Sequence, residues 1–152
     1  MIQLEYDSEL QGVDLQRDGG NITDNELLNT AVLISLFTRR RADPDDILPD
    51  PRSHREGWWA DDYAQDEGDL IGSRLWLLAR SKATQSVLNR AKNYAEESLA
   101  WLIDDGIASR VIVTVERYQK RPDVIAIRVE IYKPDAPATR WVGVWQAHLE
   151  AL

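Results

Sequence analysis

A chain of 152 residues with a formal net charge of −8 is one ordinary domain, long enough to bury roughly 70% of its unfolded surface, and its acidity opposes general binding to nucleic acid, which needs a basic footprint. It contains no cysteine, so a disulfide scaffold and a thiolate metal site are excluded. It has no run of about 18 apolar residues for a membrane span, and its opening, MIQLEYDSEL, lacks the basic and apolar regions of a secretory signal, so the reading expects folding and assembly in a cytoplasm.

Residues 1–20 alternate weakly (Ile2, Leu4, Tyr6; Val13, Leu15) and close on Asp18-Gly19-Gly20, a turn signal. They predict an irregular arm with one short strand. A helix follows, capped by Thr23 or Asp24, with Glu26 completing a capping box. Its body (Leu27, Leu28, Ala31, Val32, Leu33, Ile34, Leu36, Phe37) is apolar on nearly every face. Such a helix must be enclosed on most sides, either as a central core element or partly by a partner.

Residues 38–59 follow, within a long loop expected to extend over 38–71. Pro44, Pro49 and Pro51 each remove a backbone donor and bias the preceding residue away from helix. Disorder is poor in aromatics, yet this stretch ends in Trp58 and Trp59. Long irregular loops inside compact domains are usually functional. This one sets Arg39, Arg40 and Arg41 beside Asp43, Asp45, Asp46 and Asp50. Aromatic residues and arginine are the usual anchors of interfaces, so these three arginines and two tryptophans are the candidate partner contacts. The plainer alternatives are a tryptophan lid over the chain's own core, and intramolecular pairing of the arginines with the four aspartates.

After the acidic stretch 61–69, residues 72–82 predict a second helix, with Leu75, Leu78 and Ala79 on one face and Trp76 and Leu77 widening it. A third helix is predicted over 84–105, where Val87, Leu88, Ala91, Tyr94, Ala95, Leu99 and Leu102 recur at three- and four-residue intervals. Gly106 supplies its left-handed cap. Asp104 and Asp105 sit where the helix dipole disfavours them, with Arg110 nearby.

The period then switches to two. Val111, Val113 and Val115 alternate with Arg110, Ile112, Thr114 and Glu116, and Ile125, Ile127, Val129 and Ile131 alternate with Ala126, Arg128, Glu130 and Tyr132, across a turn at 119–123. Residues 140–146, within a tail of 135–152, predict a third and shorter strand. The fold class is therefore α+β: about three helices packed on a small antiparallel sheet formed mainly by the C-terminal hairpin, in a single domain.

No constellation for chemistry emerges. His54 and His148 are the only histidines, and neither has a metal-binding neighbourhood in sequence. The run DPDDILPD lacks the central glycine and terminal glutamate of a calcium hand. Ser53 and His54 are adjacent and cannot face one another, and no nucleophile elbow is present. Gly57, Gly68 and Gly72 fit no phosphate-loop motif. Paired carboxylates for glycoside hydrolysis are hard to exclude only because Asp and Glu are abundant. The reading predicts no catalytic residue, no cofactor and no metal.

The strings TAVLISLFTRRRADPDDILPD, GWW, IGSRLWLLARSK and LAWLIDDGIASRV, specific in combination, resemble the Mu-like phage tail baseplate family over most of the chain. That family is similar in role to the wedge, or sheath-initiator, proteins of contractile tails. The resemblance implies a virion component of the tail baseplate, in several copies around the central hub. Its implied contacts are the larger wedge protein, the hub or tube, and the first tail sheath subunits, with no nucleic acid or membrane. More distant wedge relatives carry Glu-Pro-Arg between the long helix and the first strand. Here residues 106–110 read GIASR, so Arg110 alone is carried over as a partner-binding residue. Some relatives are associated with lysozyme, which makes a cell-wall glycosidase the alternative function.

Overall fold

A computed structural model describes residues 2–7, 12–17, 24–52, 54–55, 57, 70–118, 121, 123–135 and 140–149. The fold is α+β. In chain order the described residues contain strands β1 (Ile2–Asp7) and β2 (Gly12–Arg17), helix α1 (Asp24–Phe37) and a 3-10 turn (Leu75–Leu78). Helices α2 (Gln85–Ser98) and α3 (Trp101–Asp104) follow, then strands β3 (Arg110–Arg117), β4 (Val124–Tyr132) and β5 (Arg140–His148).

The first segment, read as an arm with one short strand, holds an antiparallel pair in which Leu4 faces Leu15 and Tyr6 faces Val13 across the register. In α1, Leu28, Val32, Leu33 and Leu36 are buried, whereas Leu27 and Ile34 are 55% and 45% exposed. The all-round apolar sequence of this helix therefore covers both an inward face and an outward one. Thr23, named as a possible cap, lies outside the described residues.

Between residues 72 and 82 the predicted helix is replaced by the 3-10 turn, all four of whose residues are buried. The regular spacing of Leu75 and Leu78 reflected burial on every side, and the segment is held short by contacts at both ends. Gly72 adopts φ +97 and approaches Thr38 so closely that a Cβ would lie 2.3 Å from its carbonyl oxygen. Arg80, at φ 63, donates its N–H to the Leu149 carbonyl at 2.8 Å.

The third predicted helix begins where its cap dictates: the Thr84 side chain accepts from the Val87 N–H. It does not run to residue 105 unbroken. Buried Ser98 donates its hydroxyl to the Ala95 carbonyl at 2.9 Å, a local bond that competes with the backbone ladder and bends helices. The chain restarts as α3, and Gly106 at φ +70 ends it. The break turns Trp101 toward α1, where its indole N–H donates to Ser35 Oγ at 3.1 Å.

The C-terminal sheet is an antiparallel meander, β3-β4-β5, with β4 central. Ile125, Ile127, Val129 and Ile131 of β4 are buried, as is Val113 of β3. With the inward residues of α1, the 3-10 turn and α2 they form one core. Each fully buried Leu or Ile in it contributes about 1.5–3 kcal/mol relative to exposure. The expected third strand is present, but it runs to His148 and, at nine residues, is as long as β4 rather than shorter.

Candidate assembly surface

The segment after α1 is irregular in secondary structure but fixed in position. Arg39 forms an isolated parallel bridge with Ser73, supported by Ser73 N–H to Thr38 carbonyl at 2.9 Å and Arg40 N–H to Ser73 carbonyl at 3.0 Å. The Trp76 indole N–H donates to the Arg40 carbonyl at 2.8 Å. Farther out, the Ala42 N–H donates to the Arg55 carbonyl at 2.9 Å, and the Arg55 guanidinium caps the carbonyls of Asp43 and Pro44. The loop thus folds back along itself.

One cation gathers the acids of this loop. Arg74 Nη1 lies 2.5 Å from Asp43 Oδ2 and 3.0 Å from Asp46 Oδ2. Its Nε and Nη2 both donate to Glu97 Oε2 on α2, at 3.1 and 2.9 Å. The Tyr94 ring centroid lies 4.9 Å from its guanidinium carbon. Burial lowers the Arg74 pKa, but hydrogen bonds and negative charge from Asp46 and Glu97 outweigh that and hold it above its ordinary value. Asp43 and Asp46 also hold one another's backbone, through Asp43 N–H to Asp46 Oδ2 at 2.8 Å and Asp46 N–H to the Asp43 carbonyl at 3.1 Å.

The arginine run is divided by this arrangement. Arg40 is partly buried and reaches Glu97 Oε1 at 3.5 Å. Arg39 and Arg41 are exposed. Gly57 packs beside Arg41, where an added Cβ would lie 3.1 Å from the Arg41 Cβ. Trp58 and Trp59, the other candidates in this loop, lie outside the described residues. Arg110 is elsewhere, at the start of β3, with its guanidinium carbon 4.2 Å from the centroid of Tyr132, its register partner on β4. Sequence reasoning missed Arg74. The available signal was a lone cation beside the apolar run LWLL, a place where a charge needs a partner.

A second surface is the outer edge of the sheet. Tyr118 N–H donates to the Val124 carbonyl and Leu149 N–H to the Asp123 carbonyl, both at 3.0 Å. Antiparallel bonding alternates in steps of two, so even-numbered residues of β4 bond to β3 and odd-numbered ones to β5. On β5 the even-numbered N–H groups therefore point away from the sheet. Val144 is one of them, and its side chain is 58% exposed. Its sequence context, Trp141-Val142-Gly143-Val144-Trp145, is apolar at both parities, unlike a strand with one solvated face.

Among the described residues no three His, Asp or Glu side chains are placed to hold a metal ion, and no helix is long and apolar enough to cross a membrane.

The family model described as Phage protein GP46 matches residues 28–138 of this chain. The chain is 48% identical over 104 residues to a protein named Baseplate protein gp46 from Escherichia phage Mu, covering 68% of this chain and 70% of that one. It is 35% identical over 114 residues to the Mu-like prophage FluMu protein gp46 of Haemophilus influenzae, covering 75% of this chain and 73% of that one. No solved structure matches the chain. The matched region contains the clamped loop, α2, β3 and β4.

Proposed function

The chain belongs to the Phage protein GP46 family of Mu-like phages, and on that footing we propose that it is a structural component of the phage tail baseplate. It acts there as a wedge-like connector that contacts the larger wedge and hub or tube proteins and starts the tail sheath. It is present in several copies and resides in the virion tail after assembly in the host cytoplasm. Arg39, Arg41, Trp58, Trp59 and Arg110 are its candidate contacts with the other baseplate proteins. Arg40 supports the same loop from within, through Glu97.

The observation that carries the sheath role is the outer edge of β5, which no described strand covers. Val144 presents an apolar side chain and an outward N–H at the middle of an edge strand. Unpaired edges of this kind accept a strand from another chain by main-chain bonding. Arg128 and Glu130 on neighbouring β4, paired at 2.9 Å, deter indiscriminate pairing while leaving room for a specific strand. An extended arm of a sheath subunit is the strand that this reading assigns to the edge.

Val144→Pro tests it. The N–H that proline removes is not used in the β4–β5 ladder, so the purified variant keeps its fold. Phage carrying it assemble baseplates and tubes but no sheath. Full-length sheaths on that variant would refute strand addition at β5. An amber mutant of the gene tests the broader role: normal tails without the protein would remove the baseplate assignment itself.

A further inference from the structure

A groove runs along the outward side of α1. Two concavities form it, of about 430 and 440 Å³, and they share Ala31 and Trp101. The first lies toward the start of α1 and is lined by Leu27, Ile107 and Lys133. The second lies toward its end and is lined by Ile34 and Asp105. Among the described residues six large apolar side chains stand exposed, and three of them, Leu27, Ile34 and Ile107, line this groove. Singly exposed apolar residues are ordinary, whereas a contiguous set marks a contact surface. The middle of the groove is fixed, because the Trp101 indole N–H is bonded to Ser35 Oγ. Strand β1 also lies against α1, yet Leu27 and Ile34 remain 55% and 45% exposed.

The charges of the groove sit at opposite ends. Lys133, at the Leu27 end, is half-buried, and Asp105, at the Ile34 end, is exposed. Among the described residues neither forms an ion pair. Asp135 borders the Lys133 end as well, but it is exposed and does not pair with the lysine. A charge drawn partly out of water needs a partner. The apolar order is matched in the same sense. Leu27 stands four residues before Ala31 and Ile34 three after it, spacings that share one helix face. A second copy laid antiparallel about Ala31 therefore sets Leu27 of each copy on Ile34 of the other. The same turn brings each Lys133 to the other copy's Asp105. A copy laid parallel sets Lys133 on Lys133 and Asp105 on Asp105, which like charge disfavours. The small side chain at Ala31 lets the two helices approach closely where they cross.

We propose that the groove along α1 receives a second copy of this chain, antiparallel, across a two-fold axis near Ala31. The contact uses the same patch on both copies, so every interaction in it occurs twice. It goes beyond the baseplate reading, and its test needs only the purified chain.

The full-length protein is followed by sedimentation equilibrium over a dilution series. The average mass rises from one chain toward two as concentration increases. Ile34→Lys keeps the protein a monomer throughout, and circular dichroism at a dilution where the wild type is also monomeric shows an unchanged melting temperature. Lys133→Glu weakens the dimer about tenfold, and so does Asp105→Lys, because each places like charges together twice. The two changes combined restore the wild-type affinity, which a loss of fold cannot imitate. A wild-type protein that stays a single chain at every concentration overturns the proposal. A dimer undiminished by Ile34→Lys overturns it too, as does a double charge swap that fails to restore what each single reversal removed. None of these results bears on incorporation into baseplates, which the amber mutant reads separately.

Discussion

Arg74 and Glu97 meet through a single carboxylate oxygen: the Nε and Nη2 groups of the arginine both donate to Oε2, which leaves Oε1 to Arg40 at 3.5 Å. One glutamate on α2 thereby holds the guanidinium that holds Asp43 and Asp46, and also the middle residue of the arginine run. The loop is ordered from the helix outward.

Removing that guanidinium should release the loop. Arg74→Gln leaves Asp46, whose side chain is 13% exposed, without its counter-charge. The expected loss of stability is about 1–2 kcal/mol, below the figure for fully buried pairs because Asp43 and Glu97 remain partly solvated. Limited trypsin digestion checks it, with cleavage after Arg41 and Arg52 becoming faster in the variant. Unchanged digestion would show that the backbone bridge alone orders the loop.

Two glycines with positive φ should respond differently to alanine. At Gly72 the added Cβ meets the Thr38 carbonyl oxygen at 2.3 Å, whereas at Gly106 it meets nothing within 4 Å. Gly106→Ala incurs only the left-handed backbone penalty of about 1–2 kcal/mol. Gly72→Ala incurs that penalty and must also push the backbone apart, so its melting temperature falls further. Thermal unfolding of the two variants in parallel gives the comparison.

The paired tryptophans separate docking from self-packing. Trp58→Ala with Trp59→Ala should block incorporation into baseplates, since truncating an aromatic anchor costs roughly 2 kcal/mol or more. If the melting temperature is unchanged while assembly fails, the pair docks onto a partner. Equal loss of both assigns the residues to the chain's own core, and normal assembly discards them as contacts.

Incubation with peptidoglycan should produce no clearing. No carboxylate pair in the sequence stands out from an abundant background, and two of the loop acids are committed to Arg74. Clearing that disappears when one particular Asp or Glu is changed to its amide would establish a glycosidase.

The elements legible in the sequence were those set by local pattern. The third helix beginning near residue 84, the period-two runs of β3 and β4, and the strand after residue 140 follow from neighbours within a few positions, and they suffice for the α+β class. What was not legible depends on distant partners. The 72–82 segment is cut to one 3-10 turn by Thr38 on one side and Leu149 on the other, neither visible in a helical count. Ser98 bends the third helix through a hydroxyl whose competition with the ladder depends on burial. Within the candidate site, the charge-rich loop was evident from its composition, but its organising residue lies at position 74. Of the four aspartates offered as one set of partners for the arginine run, Asp43 and Asp46 pair with Arg74, while Arg40 pairs with Glu97.

The bridge between Arg39 and Ser73 pins both ends of the 40–72 segment at one point. Closing a loop becomes only slowly more costly as it lengthens, by about 0.6 kcal/mol for each doubling. Residues inserted or deleted beyond the clamp therefore leave the register of α1, the 3-10 turn and the sheet untouched. The excursion can therefore change in length without redesigning the domain that carries it.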